Sequence, residues 1–222
     1  SLNEDVIITK NGKEIACLSK YDPDKKNGLL IQEGSAAYSF EEPLKATYEE
    51  FLRLVENSRN QYEYINGIIY LLASPSHQHQ VVSSRVYVRF SNWFNGKKCQ
   101  SLFAPYDINI SIAGENNTVQ PDILVICDEE NVDSKGKYHG TPSLVVEIIS
   151  SSTKSKDLST KLELYMKGGI GEYWIVDPEE KEIYIYTFKN KGILKYSVYD
   201  NNKIARSLLY DGLEFRVDEI FK

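Results

Sequence analysis

Two carboxylates stand inside apolar runs of this chain, and chemistry is expected there. Asp122 follows Pro121 in VQPDILVI and shares a face with Leu124 and Ile126; Glu147 sits inside SLVVEIIS and shares a face with Val145 and Ile149. Strand side chains alternate between faces, and both faces of these runs are apolar, so the strands are expected to be central and covered on both sides. An unpaired carboxylate in such a place is costly, and either shifts its pKa or demands a cation. The plainer alternative for Asp122 is an acid that merely opens a strand after a proline. A third acid, Glu63, lies between Tyr62 and Tyr64 and gains meaning only from the other two, since an exposed strand glutamate is the ordinary case. Hard oxygen donors on adjacent strands, with a third nearby, suit Mg²⁺ or Mn²⁺. The chemistry such a site supports is metal-assisted hydrolysis of a phosphodiester. A neighbouring lysine would stabilise charge building on phosphorus or orient the attacking water.

Helical patterns contribute two more candidates. SPSHQHQ precedes a helix of about 77–95 with an apolar stripe of Val82, Val86, Phe90, Trp93 and Phe94. On a regular helix His79 projects onto that stripe and His77 away from it. His79 therefore either assists the site or hydrogen-bonds within the core, and His77 and His139 are expected at the surface. A second helix, about 155–167, is striped by Leu158, Leu162, Tyr165 and Met166. Lys161 lies at the edge of that stripe, where its amine can reach inward past the helix flank. The alternative is a solvated lysine, which Lys154, Lys156 and Lys167 are expected to be.

The elements that must position these residues follow from turn and cap signals. Residues 1–20 read as an N-terminal β-hairpin around Asn11-Gly12, and 21–46 as a polar connector. The main domain, 47–222, opens with a capping box at Thr47-Tyr48-Glu49-Glu50, then a hairpin centred on Asn66-Gly67. Strands are predicted at about 100–112, 118–127, 143–150 and 172–176, and Gly168-Gly169 ends the second helix. EIYIYTF, LKYSVY and FRVDEIF read as further strands. The predicted class is α/β (α+β), a mixed central β-sheet flanked by helices.

Composition narrows the rest. The 222 residues carry 26 basic and 32 acidic side chains, a net charge of −6 with neutral histidines. A protein living on the phosphate backbone usually has a basic excess, so nucleic-acid contact would need a local basic patch or bound cations. No apolar run approaches the ~18–20 residues of a membrane span, and no secretory signal is visible, so a cytoplasmic protein without membrane contact is expected. Cys17, Cys99 and Cys127 are odd in number and widely spaced, which predicts reduced thiols.

Taken in order, YEYINGIIYLL, SPSHQHQ, APYDI, QPDI, VVEIISSST, the Lys161-to-Tyr165 spacing and EYWIVDP resemble the putative restriction-endonuclease family of bacterial proteins, within the PD-(D/E)XK nuclease superfamily. The resemblance covers roughly residues 47–190. It implies a restriction-endonuclease-like core and a metal-dependent nuclease acting on DNA. Asp122 matches the acid of the PD motif, Glu147 the second acid and Glu63 the upstream glutamate. It also implies an Mg²⁺ or Mn²⁺ site of Asp122, Glu147 and the Ile148 carbonyl, which Glu63 completes directly or through water. The superfamily lysine would stand two residues after Glu147, where this chain has Ile149; Lys161 takes its place in the family pattern. His79 matches the family histidine. Tyr165 and Trp174 are expected to fill the core, and Asp177-Pro178 to turn the chain. Residues 1–18 more faintly resemble the strand–turn–strand of prevent-host-death-type antitoxins. Expected partners are nucleic acid, a second copy in a homodimer, and a toxin/antitoxin-type protein. The competing expectation is a catalytically inactive binding module that retains the nuclease fold.

Overall fold

Backbone pairing begins with β1 (Val6–Lys10) and β2 (Lys13–Leu18), which run antiparallel as the hairpin pattern predicts. The computed structural model describes residues 6–10, 13–18, 31–33, 45–150 and 153–222. The Asn11-Gly12 turn and most of the 21–46 connector lie outside them. One piece of that connector is more than a linker: β3 (Ile31–Glu33) adds a strand to a sheet of the main body.

Local chemistry sets the next elements. The Thr47 hydroxyl accepts the Glu50 N–H, and the Glu50 carboxylate accepts the Thr47 N–H, starting α1 (Tyr48–Glu56). β4 (Tyr62–Ile65) and β5 (Ile68–Leu71) turn through Asn66 and Gly67, at φ of 52° and 87°, the positive values a type I′ turn requires. Ser76 caps α2 (His77–Phe94), which buries Val82, Val86, Phe90 and Phe94.

Two runs predicted as single strands each break in two. The first becomes β6 (Gln100–Phe103) and β7 (Ile108–Ile112), the second β8 (Glu115–Val119) and β9 (Ile123–Ile126). Each break holds a proline, Pro105 or Pro121, which has no N–H to give a ladder. After β10 (Leu144–Ile148), a π-helical segment (Lys156–Lys161) runs into α3 (Leu162–Gly168), closed by Gly169 at φ 89°. β11 (Glu172–Asp177), β12 (Glu182–Lys189), β13 (Gly192–Tyr199), β14 (Ile204–Arg206) and β15 (Glu214–Arg216) complete the strands. FRVDEIF, predicted as a strand, is strand only to Arg216 and then forms α4 (Asp218–Phe221).

The central mixed sheet has the order β13-β12-β11-β10-β9-β6, parallel at β10–β11 and antiparallel elsewhere. A second sheet, β3-β5-β4-β8-β7, takes the other halves of the two broken runs. On one face of the central sheet, Phe90 of α2, Trp174 and Phe215 pack together. On the other, Ile65, Ile108 and Val119 of the second sheet and Tyr165 of α3 meet Leu124, Val145 and Tyr173. β9 and β10 are thus buried along their length, as the two-sided apolar pattern predicts.

The cysteine expectation is corrected. Cys99 and Cys127 form a disulfide. The β6–β9 register sets Gln100 opposite Ile126, so the residues flanking that pair also face each other. No helix among the described residues is long and apolar enough to cross a membrane.

Candidate active site

The β9–β10 ladder pairs Ile123 with Val146 and Leu124 with Val145. One step further along that register Asp122 stands opposite Glu147. The Ile148 N–H donates to Asp122 Oδ2 at 2.8 Å, which fixes the carboxylate against β10. Glu63 arrives from β4 in the other sheet and is completely buried. The β8–β9 corner ties it in, because the Gln120 N–H donates to Glu63 Oε1 at 3.1 Å. The broken strand thus serves the site: its corner carries Gln120 and Asp122 to one place.

Lys161 joins the two sheets. Its Nζ lies 2.7 Å from Glu63 Oε1, 2.7 Å from Glu147 Oε1 and 3.8 Å from Asp157 Oδ1. His79, at the start of α2, places Nε2 3.2 Å from Asp122 Oδ2. All five candidates, Glu63, His79, Asp122, Glu147 and Lys161, line one cleft of about 430 Å³, together with Ile148. His77 and His139 are exposed, as expected.

Three residues of this cluster escaped the sequence. Tyr165, expected only to fill the core, also donates its hydroxyl to Glu147 Oε1 at 2.6 Å. Lys156, expected in solvent, is only 14% exposed, and its Nζ lies 2.8 Å from Glu63 Oε2. Asp157 is buried beside Lys161, and its Oδ1 finds no hydrogen-bond partner among the described residues. The π-helical segment explains Lys156, whereas Asp157 stands four positions before Lys161, an ordinary helical neighbour. An α-helix turns 100° per residue, so positions five apart point in different directions; a π-helix repeats after nearly five, and brings Lys156 over Lys161. Periodicity assigned on α-helical geometry could not see that.

Charge is unbalanced in the cleft. Four carboxyl groups, Glu63, Asp122, Glu147 and Asp157, face two ammonium groups. Burial alone would raise the Glu63 pKa, but Lys161 and Lys156 outweigh it and hold the carboxyl at about 2. For Glu147 the balance is reversed. Burial raises it to about 8, and Asp157, Asp122 and Glu63 add repulsion that Lys161 only partly offsets. The two glutamates share one lysine, yet only Glu63 has a second. Burial would lower the Lys161 pKa, but Glu147, Glu63 and Asp157 keep it well above the ordinary lysine value. Burial likewise lowers His79, and the Asp122 contact more than reverses this.

Among the described residues no three His, Cys, Asp or Glu side chains form a ready metal cage. The donors that fit Mg²⁺ or Mn²⁺ are fewer. Magnesium characteristically takes one or two carboxylates and completes its shell with waters and substrate oxygens. Asp122, Glu147 and Ile148 line the cleft from adjacent strands, and the two carboxylates with the Ile148 carbonyl are the donors that could hold such an ion. Glu63, expected to complete the site directly or through water, has both oxygens engaged by the chain: Lys161 and the Gln120 N–H hold Oε1, and Lys156 holds Oε2.

Known proteins share this architecture. A crystal structure of a putative nuclease belonging to DUF820, from Anabaena variabilis, superposes with a TM-score of 0.64. It covers 81% of this chain and 98% of its own length at 18% identity, a likeness of fold. An uncharacterised protein of Synechocystis sp. is 32% identical over 182 residues, spanning 80% of this chain and 92% of that protein. Residues 48–218 match Uma2, described as a putative restriction endonuclease family, and the chain belongs to that family.

Proposed function

We propose that the protein is a divalent-metal-dependent nuclease that hydrolyses phosphodiester bonds in DNA. The observation that carries this reading is the convergence of Asp122, Glu147 and Lys161 in one cleft, with more carboxyl groups than ammonium groups. Low-dielectric surroundings make that excess negative charge expensive, and a cation relieves it. In this reading Asp122, Glu147 and the Ile148 carbonyl hold Mg²⁺ or Mn²⁺. Bound there, the ion polarises a phosphoryl oxygen and lowers the pKa of a water.

The chain's own groups do the rest. The Tyr165 hydroxyl and Lys161 Nζ both engage Glu147 Oε1, so Oε2 is the oxygen left for a cation. The Ile148 N–H on Asp122 Oδ2 likewise leaves Oδ1 for the ion. Lys161 presents its charge where negative charge grows on phosphorus and helps orient the water. Glu63 fixes Lys161 from the opposite sheet. His79 holds Asp122 in place from α2.

The experiment is incubation of the purified protein with supercoiled plasmid and Mg²⁺ or Mn²⁺, with Asp122→Asn and Lys161→Ala alongside. Nicked and linear DNA is expected from the wild type, with rates at least about 10²-fold lower in each variant, the scale of removing one stabilising charge. Equal cutting by all three would remove the assigned residues. A second reading, an inactive binding module, draws on the net charge of −6. It requires that calorimetric titration with Mg²⁺ or Mn²⁺ at millimolar levels show no binding.

A further inference from the structure

The two lysines of the cleft are not equivalent. Lys161 is only 4% exposed and is held among three carboxylates on two sheets and its own helix. Leaving that position would take a counter-charge from the buried Glu63 carboxylate and a hydrogen-bond donor from buried Glu147, which is destabilising. Lys156 is more exposed, at 14%, lines the same cleft, and has one carboxylate partner, Glu63 Oε2 at 2.8 Å. Glu63 keeps Lys161 and the Gln120 N–H if Lys156 lets go. The Lys156 ammonium also lies 5.0 Å from the centre of the Tyr70 ring, beside a face that tolerates a mobile cation. An ammonium group has three donors, and a phosphodiester oxygen is an equivalent acceptor to the carboxylate it would leave or share.

We infer that Lys156 is the substrate-binding lysine of this site: it contacts a non-bridging phosphate oxygen of the bound strand while Lys161 stays fixed at the reacting group. This rests on the nuclease reading above. The π-helical segment is what makes the division possible, since it turns both side chains into one cleft from positions five apart.

Binding of a fluorescein-labelled 20-base-pair duplex, followed by anisotropy, tests it. Ca²⁺ replaces Mg²⁺ as an oxygen-seeking ion, and NaCl is varied. Loss of one phosphate contact by Lys156→Gln should make the slope of log affinity against log salt shallower by about one. Affinity should fall roughly tenfold at low salt. Lys156→Arg should restore the wild-type slope, and in cleavage assays Lys156→Gln should raise KM far more than it lowers kcat. An unchanged slope in a folded Lys156→Gln protein overturns the assignment and leaves the nuclease reading standing. Failure of the wild type both to bind the duplex and to cut plasmid overturns the nuclease reading itself. Should Lys156→Gln not fold, acetylation of wild-type lysines decides the matter. Saturating duplex should protect Lys156 several-fold, and equal labelling with and without duplex overturns the proposal.

Discussion

Glu63 and Glu147 touch the same ammonium group and are pushed in opposite directions. The Glu63 carboxyl is held at about 2, so the stability it contributes is fully present above its ordinary 4.5 and is lost as pH falls from there toward 2. The Glu147 carboxyl is raised to about 8, so its contribution is present below 4.5 and is lost as pH rises from there toward 8. Between those limits the folded protein carries a proton on Glu147 that the unfolded chain has released. Glu147→Gln keeps the side chain neutral at every pH. In metal-free buffer, the wild type should therefore lose stability relative to Glu147→Gln between pH 5 and 8, by at most about 1.4 kcal/mol per pH unit. Thermal melts of both proteins across that range check it. Parallel profiles would mean that Glu147 ionises like any surface glutamate and that the cleft has no unmet negative charge. Only part of this was legible beforehand. Asp122 and Glu147 were conspicuous because each stands in an apolar run, and Glu63 gained meaning only from them, whereas Tyr165 was hidden by doing two things at once: its ring fills the core while its hydroxyl holds Glu147.

Helix α3 directly follows Lys161 and must be seated closely for that side chain to reach both sheets. Its other end shows how close the seating is. A Cβ added at Gly168 would stand 2.5 Å from Ile110 Cγ2, a methyl group next to the β7 backbone. Helix propensity alone favours Gly168→Ala by up to about 1 kcal/mol. Overpacking of a well-filled site costs about 1–3 kcal/mol and outweighs it. Gly168→Ala should therefore lower stability by about 1 kcal/mol, measured by urea unfolding, and the same change in an Ile110→Ala background should be neutral or stabilising. A stabilising effect in the wild-type background would show α3 sitting farther from β7. The sequence does announce most such elements through local chemistry: the Thr47 cap, the Asn66-Gly67 turn, the stripe of α2 and the Gly169 stop. It conceals those decided by distant contacts. Residues 100–112 and 118–127 carry apolar side chains on both sides of their breaks, because each half packs in a sheet, though in different ones. Pro105 and Pro121 were the only local marks of the change. The Cys99–Cys127 bond depends on the register of β6 on β9, and the reach of Lys156 on a π-helical turn; neither leaves a signature in spacing.

At the scale of the whole molecule, charge decides how a nucleic acid could be held at all. The protein carries a net charge of −6, and its described cleft has four carboxyl groups against two lysines. A polyanion approaching this surface is repelled at long range, unlike one approaching a typical basic DNA-binding protein, whose affinity comes from releasing counterions. In the proposed function attraction is then local, from Lys156 and from a divalent ion that would reverse the sign of the cleft. Two salts of equal ionic strength should consequently act in opposite directions. Raising NaCl screens the few lysine–phosphate contacts and should weaken binding of a labelled duplex, as for any electrostatic complex. Adding Ca²⁺ at low millimolar concentration should strengthen binding at least tenfold, because it supplies the missing charge at Asp122 and Glu147 as well as screening. The Asp122→Asn protein should lose most of that gain and keep its NaCl dependence. Equal weakening by both salts would mean that the cleft takes up no cation. The acidic balance would then count in favour of a fold kept for some other purpose than cutting DNA.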